Sequence, residues 1–331
     1  MKSIYWSLLG VVVLAGCHGD QSTAAGSKSA ASAPAKYRIA VIPKGTTHEF
    51  WKSVHYGAAQ AGKEFGAEIL WQGPLQEKDR EGQISLVQNF VTKAVDGICL
   101  APNDSQAFVR PVKDAAEQGV PVVIFDSGLD DTSSIVSYVA TDNRAGGQLA
   151  ADEMARALSE KGNIVLLRYL PGSESTYERE EGFLEQLKKY PALKVLSSDQ
   201  YSGDTPQSAL DKAQQILSKY GDRIDGLFAV CEPNAAGTLR ALEDAGLAGK
   251  IVFIGFDPNR RMVQALAEKK MRGIVVQDPV NMGYLAVKTM VEHLQQKPVE
   301  KRISTGEAIA TPENMNEPKM KELLDPPVFA D

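Results

Sequence analysis

The sequence predicts an α/β protein built as two doubly wound parallel-sheet lobes. Three observations carry this expectation. From Tyr37 onward, short apolar runs alternate with longer stretches of helical period, the mark of repeated βαβ units and a parallel sheet. The apolar runs are mostly continuous rather than alternating, as strands covered on both faces are. The series also falls into two similar halves, one up to about residue 142 and one after it, in a chain of 331 residues that accommodates two ordinary domains.

The chain opens with a short positive start, Met1-Lys2, and an apolar run, Ile4–Val13, too short for a confident membrane span. The run closes in Leu14-Ala15-Gly16-Cys17, so residues 1–16 read as an export signal. That tetrapeptide resembles the lipobox of bacterial lipoproteins, whose signal is cut before a Cys that carries diacylglycerol. An ordinary signal peptide with an incidental Cys17 is the plainer alternative. Residues 17–36, rich in Ser, Ala and Gly, read as a flexible tether.

Strands are expected at 37–42, 67–71, 97–101, 120–125 and 135–140 in the first half. In the second half they are expected at 163–169, 193–198, 225–230, 251–256 and 273–277. Helices are expected at 79–94, 104–118, 143–160, 178–189, 206–219, 233–245 and 279–296. Between the first two strands lies GTTHEFWKSVHYGAAQAG, whose second half reads as a small-residue helix. Phe50 and Trp51 stand side by side where that helix begins, an odd place for two core residues.

Ligands of open α/β sheets sit beyond the carboxyl ends of the strands. The residues just past those ends are mostly polar or ionic: Thr46–Trp51, Pro102–Asp104, Asp126-Ser127, Asp142-Asn143, Glu174–Arg179, Cys231-Glu232, Asp257 and Gln277-Asp278. Carboxylates and amides such as Asp126, Asp257 and Gln277 match the donors and acceptors of vicinal hydroxyls. Arg179 adds a planar fork of donors. Phe50 and Trp51 supply flat faces for the C–H side of a pyranose. Singly, each has a bland reading as turn, cap or solvated helix charge; as a set they point to a binding site.

Several function classes are disfavoured. The first βα turn, PKGTTHEF, has neither a dinucleotide-binding nor a P-loop glycine pattern. Ala145-Gly146-Gly147 reads better as a close helix contact than as a phosphate site. A formal net charge of −6 with no basic block argues against nucleic acid. Only four His, with no CxxC or HExxH, make a metal site unexpected, and no cofactor is implied. Cys99 and Cys231 read as buried free thiols. A Cys231–His48 nucleophile is a remote enzymatic alternative.

The motifs HEFW, DGICLAPND, VPVVIFDS, VATDNRAGG, YEREEGF, LFAVCEPNAAGTLRAL, IVFIGFDPN and GIVVQDPVNMGYLAVKTM occur in this order. Over about residues 37–320 the chain resembles the type I periplasmic sugar-binding proteins of ABC importers, the ribose- and galactose-binding group related to LacI-type repressors. No helix-turn-helix headpiece precedes Tyr37, which disfavours a repressor. The resemblance implies that Phe50 and Trp51 stack on a sugar, with His48 at a polar ligand position. It implies roles for Asp126 and Asp257 as sugar-binding acids, for Arg179 as the second lobe's Arg and for Gln277 as the hinge-side amide. Ser127 and Cys231 stand where ribose-binding proteins place an Arg and an Asn, and Ala101 where they have another Asn. These changes put ribose itself in doubt, and Glu232, beside Cys231, is the residue expected to compensate.

The resemblance also implies a three-strand hinge, with crossings near Asp142-Asn143, near Gln277-Asp278 and around Gly306 to Ala308. The lobes would then be 37–142 plus 278–306 and 143–277 plus 307–324. The expected function is a solute-binding lipoprotein, anchored to a membrane of the cell envelope through Cys17. It would work as a monomer that captures a monosaccharide or polyol and delivers it to an ABC permease without catalysis. A sugar-sensing receptor component for a histidine kinase or chemoreceptor is the alternative with the same body.

Overall fold

Tyr37–Ile42 (β1) opens a computed structural model that describes residues 37–330. The export signal, Cys17 and the tether lie outside the described residues. The first half continues with Ala67–Trp71 (β2), Gly97–Leu100 (β3), Val122–Phe125 (β4) and Ser137–Ala140 (β5). The second half holds Gly162–Arg168 (β6), Leu193–Tyr201 (β7), Gly226–Ala229 (β8), Val252–Phe256 (β9) and Gly273–Gln277 (β10). Two short strands follow, Arg302–Ser304 (β11) and Glu307–Ala310 (β12). The connecting helices are Glu49–Phe65 (α1), Arg80–Thr92 (α2), Val109–Glu117 (α3), Asn143–Ala157 (α4) and Glu174–Leu187 (α5). They continue as Pro206–Tyr220 (α6), Glu232–Asp244 (α7), Arg260–Ala267 (α8), Pro279–Leu294 (α9) and Pro318–Leu324 (α10).

The strands form two sheets of the same design, ordered β11-β5-β4-β3-β1-β2 and β12-β10-β9-β8-β6-β7. Pairing is parallel throughout the first sheet; in the second only β12 runs antiparallel, on the edge beside β10. The central strands β3, β4 and β8 are buried along their whole length. Each sheet has a core on both faces, as continuous apolar strands require. The two-lobed α/β architecture expected from the sequence is therefore the one observed.

The chain passes between sheets three times: from β5 into α4, from β10 into α9, and from β11 into β12. Thr141, Gln277 and Thr305 sit at these crossings and bond to one another. The Thr141 hydroxyl donates to Gln277 Oε1 at 2.7 Å and lies 3.3 Å from the Thr305 hydroxyl. After the second crossing α9 packs against α1. A side chain on Gly57 would meet the Val280 carbonyl at 1.9 Å, so Gly is required there. The small residues of α1 thus serve a helix–helix contact at Gly57 and a sheet contact at Gly62, where a side chain would meet Ile69 of β2. Gly147 of α4 plays the same part in the second lobe, against the Arg179 carbonyl of α5.

Some boundaries differ from expectation for local reasons. The helix expected from 104 begins at Val109, because Asp104 Oδ1 accepts from the Gln106 and Ala107 N–H groups and closes a turn. The helix expected from 178 begins at Glu174, whose first turn has no apolar period to reveal it. α8, α10, β11 and β12 were not foreseen: they are too short for periodicity to register.

Candidate functional site

β4 and β9 hold equivalent places in their sheets, and the residue after each is an aspartate in the left-handed region. Asp126 has φ 63° and Asp257 φ 62°. Each backbone N–H donates to the adjacent strand, Asp126 to the Val139 carbonyl at 3.0 Å and Asp257 to that of Val275 at 2.9 Å. Asp enters this region more readily than most residues, and strain of this kind concentrates at functional sites. The matched turns bring both carboxylates to one narrow cleft between the lobes, about 350 Å³ of empty space once its open mouth is included.

His48, Phe50, Trp51, Asp126, Arg179, Cys231, Glu232, Asp257 and Gln277 all line this cleft. Ser127 does not, which corrects its expected place in the site. It is fully buried behind the wall, where its hydroxyl accepts the Ser175 N–H at 3.0 Å. Trp51 is only 2% exposed and packs into the first lobe's core, edge-on to Phe125, as well as facing the cleft. Phe50 is half-buried and meets Trp51 edge to face at 4.9 Å.

Arg179 is held on every side. Its Nε donates to Asn143 at 2.9 Å, one terminal nitrogen donates to the Val230 carbonyl at 3.0 Å and reaches Asp257 at 3.5 Å. The guanidinium carbon lies 3.7 Å from the Phe256 ring centre. Gln277 donates to Asp257 Oδ1 at 2.8 Å, so this acid touches both the Arg and the hinge. Burial pushes Asp257 up to about 6, against the opposing pull of Arg179 and Gln277. Burial also raises Glu232, which bonds to Asn259 at 2.9 Å.

Lys44, Glu77, Tyr169 and Pro233 line the cleft without having been foreseen, whereas Ser175 and Thr176, which also line it, fall within the strand-end stretch Glu174–Arg179. Lys44 follows the first strand by two residues, so the strand-end rule reached its neighbourhood. A lone Lys there reads as a solvent charge. In the fold it is 3% exposed, pairs with Asp126 at 2.9 Å and donates to the Ser175 hydroxyl of the opposite lobe at 2.8 Å. Glu77 comes from the loop between β2 and α2, away from any strand end on its own side, and no sequence signal marks it. Its Oε1 accepts from Trp51 Nε1 at 2.7 Å and lies 2.9 Å from His48 Nδ1.

The lobes also meet outside the cleft. The Ser105 N–H donates to the Gly172 carbonyl at 2.9 Å, and the Gly128 N–H to the Glu174 carboxylate at 2.7 Å. The Tyr138 hydroxyl donates to the same carboxylate at 3.1 Å. Cys231 and Cys99 are unbridged, and burial raises both thiols above their ordinary value.

Two α/β lobes, a triple crossing and a polar cleft enclosed between them define a two-lobed binding architecture. The periplasmic binding protein domain matches residues 39–298, and the chain belongs to that family. It is 27% identical over 272 residues to the ribose import binding protein of Haemophilus influenzae, covering 82% of this chain and 90% of that protein. It is 28% identical over 280 residues to the D-allose-binding periplasmic protein of Escherichia coli, covering 82% and 88%. Among solved structures, it matches an Agrobacterium vitis ABC transporter solute-binding protein with bound D-fucose at 36% identity and TM-score 0.84. That match covers 87% of this chain and all of the other. A carbohydrate transporter solute-binding protein of Agrobacterium radiobacter in complex with D-arabinose matches at 34% identity and TM-score 0.85, covering 88% of this chain and all of that one.

Proposed function

We propose that this protein captures a monosaccharide or related polyol between its lobes and delivers it to the membrane permease of an ABC importer. The carrying observation is the matched pair Asp126 and Asp257, presented by equivalent strand ends of opposing lobes into one cleft. Two acids facing each other across a cleft, with Arg179 beside one and an aromatic ring beside the other, suit a small ligand with hydroxyls around its rim and a C–H face. Ligand binding favours closure because only the closed form brings both acids to it.

In this reading residues 1–16 are a signal peptide, Cys17 carries the lipid, and 17–36 tether a monomeric body to the membrane of an exported compartment. The lobes comprise 37–142 plus 278–306 and 143–277 plus 307–324, and Ser127 braces the wall from behind rather than acting as a ligand group. The cleft performs no chemistry. Burial keeps the Cys231 thiol protonated, and both ring nitrogens of His48, the nearby base candidate, are engaged by Glu77 and Asp204.

A thermal-shift screen over D-arabinose, D-fucose, D-allose, D-ribose and a set of polyols tests the reading. At one hundred times its dissociation constant, a bound sugar stabilises the fold by about 2.7 kcal/mol. At least one sugar is expected to raise the melting temperature, with saturable heat in calorimetry. Silence across the panel in both measurements would overturn the proposal.

A further inference from the structure

We propose that Glu77 is a positioning residue for the cleft, which orients Trp51 and ties His48 to the opposite lobe. The inference rests on the cleft being the ligand site. Glu77 is 8% exposed, and its Oε1 serves two cleft residues at once, the Trp51 indole N–H at 2.7 Å and His48 Nδ1 at 2.9 Å. The other ring nitrogen of His48, Nε2, lies 3.2 Å from the carbonyl oxygen of Asp204. Asp204 follows β7 and belongs to the second lobe, whereas His48 and Glu77 belong to the first. A carboxylate and a carbonyl are both acceptors, so His48 satisfies both only with a proton on each nitrogen. A neutral ring leaves one of these contacts without its hydrogen. Glu77 therefore does more than brace the ring: its charge sustains the form of His48 that reaches across the cleft.

The surroundings agree. Burial lowers the His48 pKa, but the bond and charge of Glu77, then Glu232 and the Asp204 carbonyl, reverse this and raise it to about 9. Burial likewise raises Glu77, and His48, Lys44 and Trp51 overcome it to hold the carboxyl at about 2. Glu49 acts on Glu232, and the Asp204 carboxylate is occupied by the Lys78 ammonium and N–H. Tyr169 stays protonated through burial and the charge of Glu77. Glu77 is thus the dominant counter-charge to His48.

Glu77→Gln separates shape from charge, because the amide oxygen still accepts from Trp51 while the negative charge is gone. The first measurement needs no ligand: the ¹⁵N imidazole resonances of His48 are followed against pH in both proteins. Wild-type His48 is expected to keep its second proton until about pH 9, and the variant to lose it below pH 7. The second is calorimetric affinity for D-fucose, or for whichever sugar of the panel binds. The variant is expected to bind about tenfold more weakly than wild type at pH 8, the equivalent of one hydrogen bond, with a clearly smaller deficit at pH 5.5. A merely structural role gives the same deficit at both pH values. That outcome, or His48 titrating alike in both proteins, overturns the proposal. If the variant does not fold, wild type alone decides, since loss of the second proton near pH 6.5 overturns it. If no sugar binds wild type, the ligand reading fails while the titration still decides the role of Glu77.

Discussion

Phe50 and Trp51 are neighbours in the chain and differ in what they hold up. Trp51 is packed in the core with its N–H bonded to Glu77, whereas Phe50 is half-buried at the cleft. Trp51→Ala is therefore expected to cost about 3–5 kcal/mol of stability through the cavity it leaves, read by denaturant unfolding. Phe50→Ala is expected to leave stability nearly intact and to weaken sugar binding by about 1–3 kcal/mol, read by calorimetry. Equal losses of binding and stability at both positions would show that the pair acts only as core. The pairing of two aromatics at a strand's carboxyl end was legible in the sequence. Their division of labour was not, because burial depends on Phe125 and Glu77, which arrive from β4 and from the loop after β2. The same holds for Ser127, which sits one residue past Asp126 and whose side chain is claimed by the Ser175 N–H.

Among the elements, the three crossing segments behave as one unit because Thr141 bonds to Gln277 and contacts Thr305. Gln277 in turn donates to Asp257, which makes a continuous path from the cleft to the hinge. Thr141→Val keeps the shape of the side chain and removes the donor to Gln277 Oε1, at a cost of about 1 kcal/mol. Because Thr141 does not line the cleft, the expected result is an altered degree of closure in small-angle scattering, accompanied by a change in affinity. Scattering profiles that match wild type with and without sugar would exclude Thr141 from the closing motion. The long, continuous strands and the helices between them were legible in the sequence, since they carry a periodic signal over many residues. β11 and β12, three and four residues long, were not, although they complete the edges of the two sheets on either side of the third crossing.

At the scale of the whole molecule, contacts outside the cleft lining add to those within it in holding the lobes together. Glu174, at the start of α5, accepts from the Gly128 N–H and the Tyr138 hydroxyl of the first lobe. Hydrogen bonds to a charged group are stronger than neutral ones, and opening the lobes breaks these. Glu174→Ala is expected to shift the free protein toward open forms and to lower apparent affinity by about tenfold, since ligand must then repay closure. A larger radius of gyration without sugar, converging on wild type at saturating sugar, is the measurement that checks it. Wild-type affinity in the variant would show that closure does not depend on this contact.

The sequence by itself determined the α/β class, the two repeated lobes and most of the cleft wall. Continuous apolar runs encode doubly covered strands, and ligands of such sheets meet their carboxyl ends. Only the tertiary structure decided which strand-end residues turn inward. The left-handed turns at Asp126 and Asp257, the recruitment of Lys44 and Glu77, and the withdrawal of Ser127 each depend on a partner distant in the chain. Periodicity is a local property of the chain, whereas convergence on a cleft is set by sheet order and by how the second lobe meets the first.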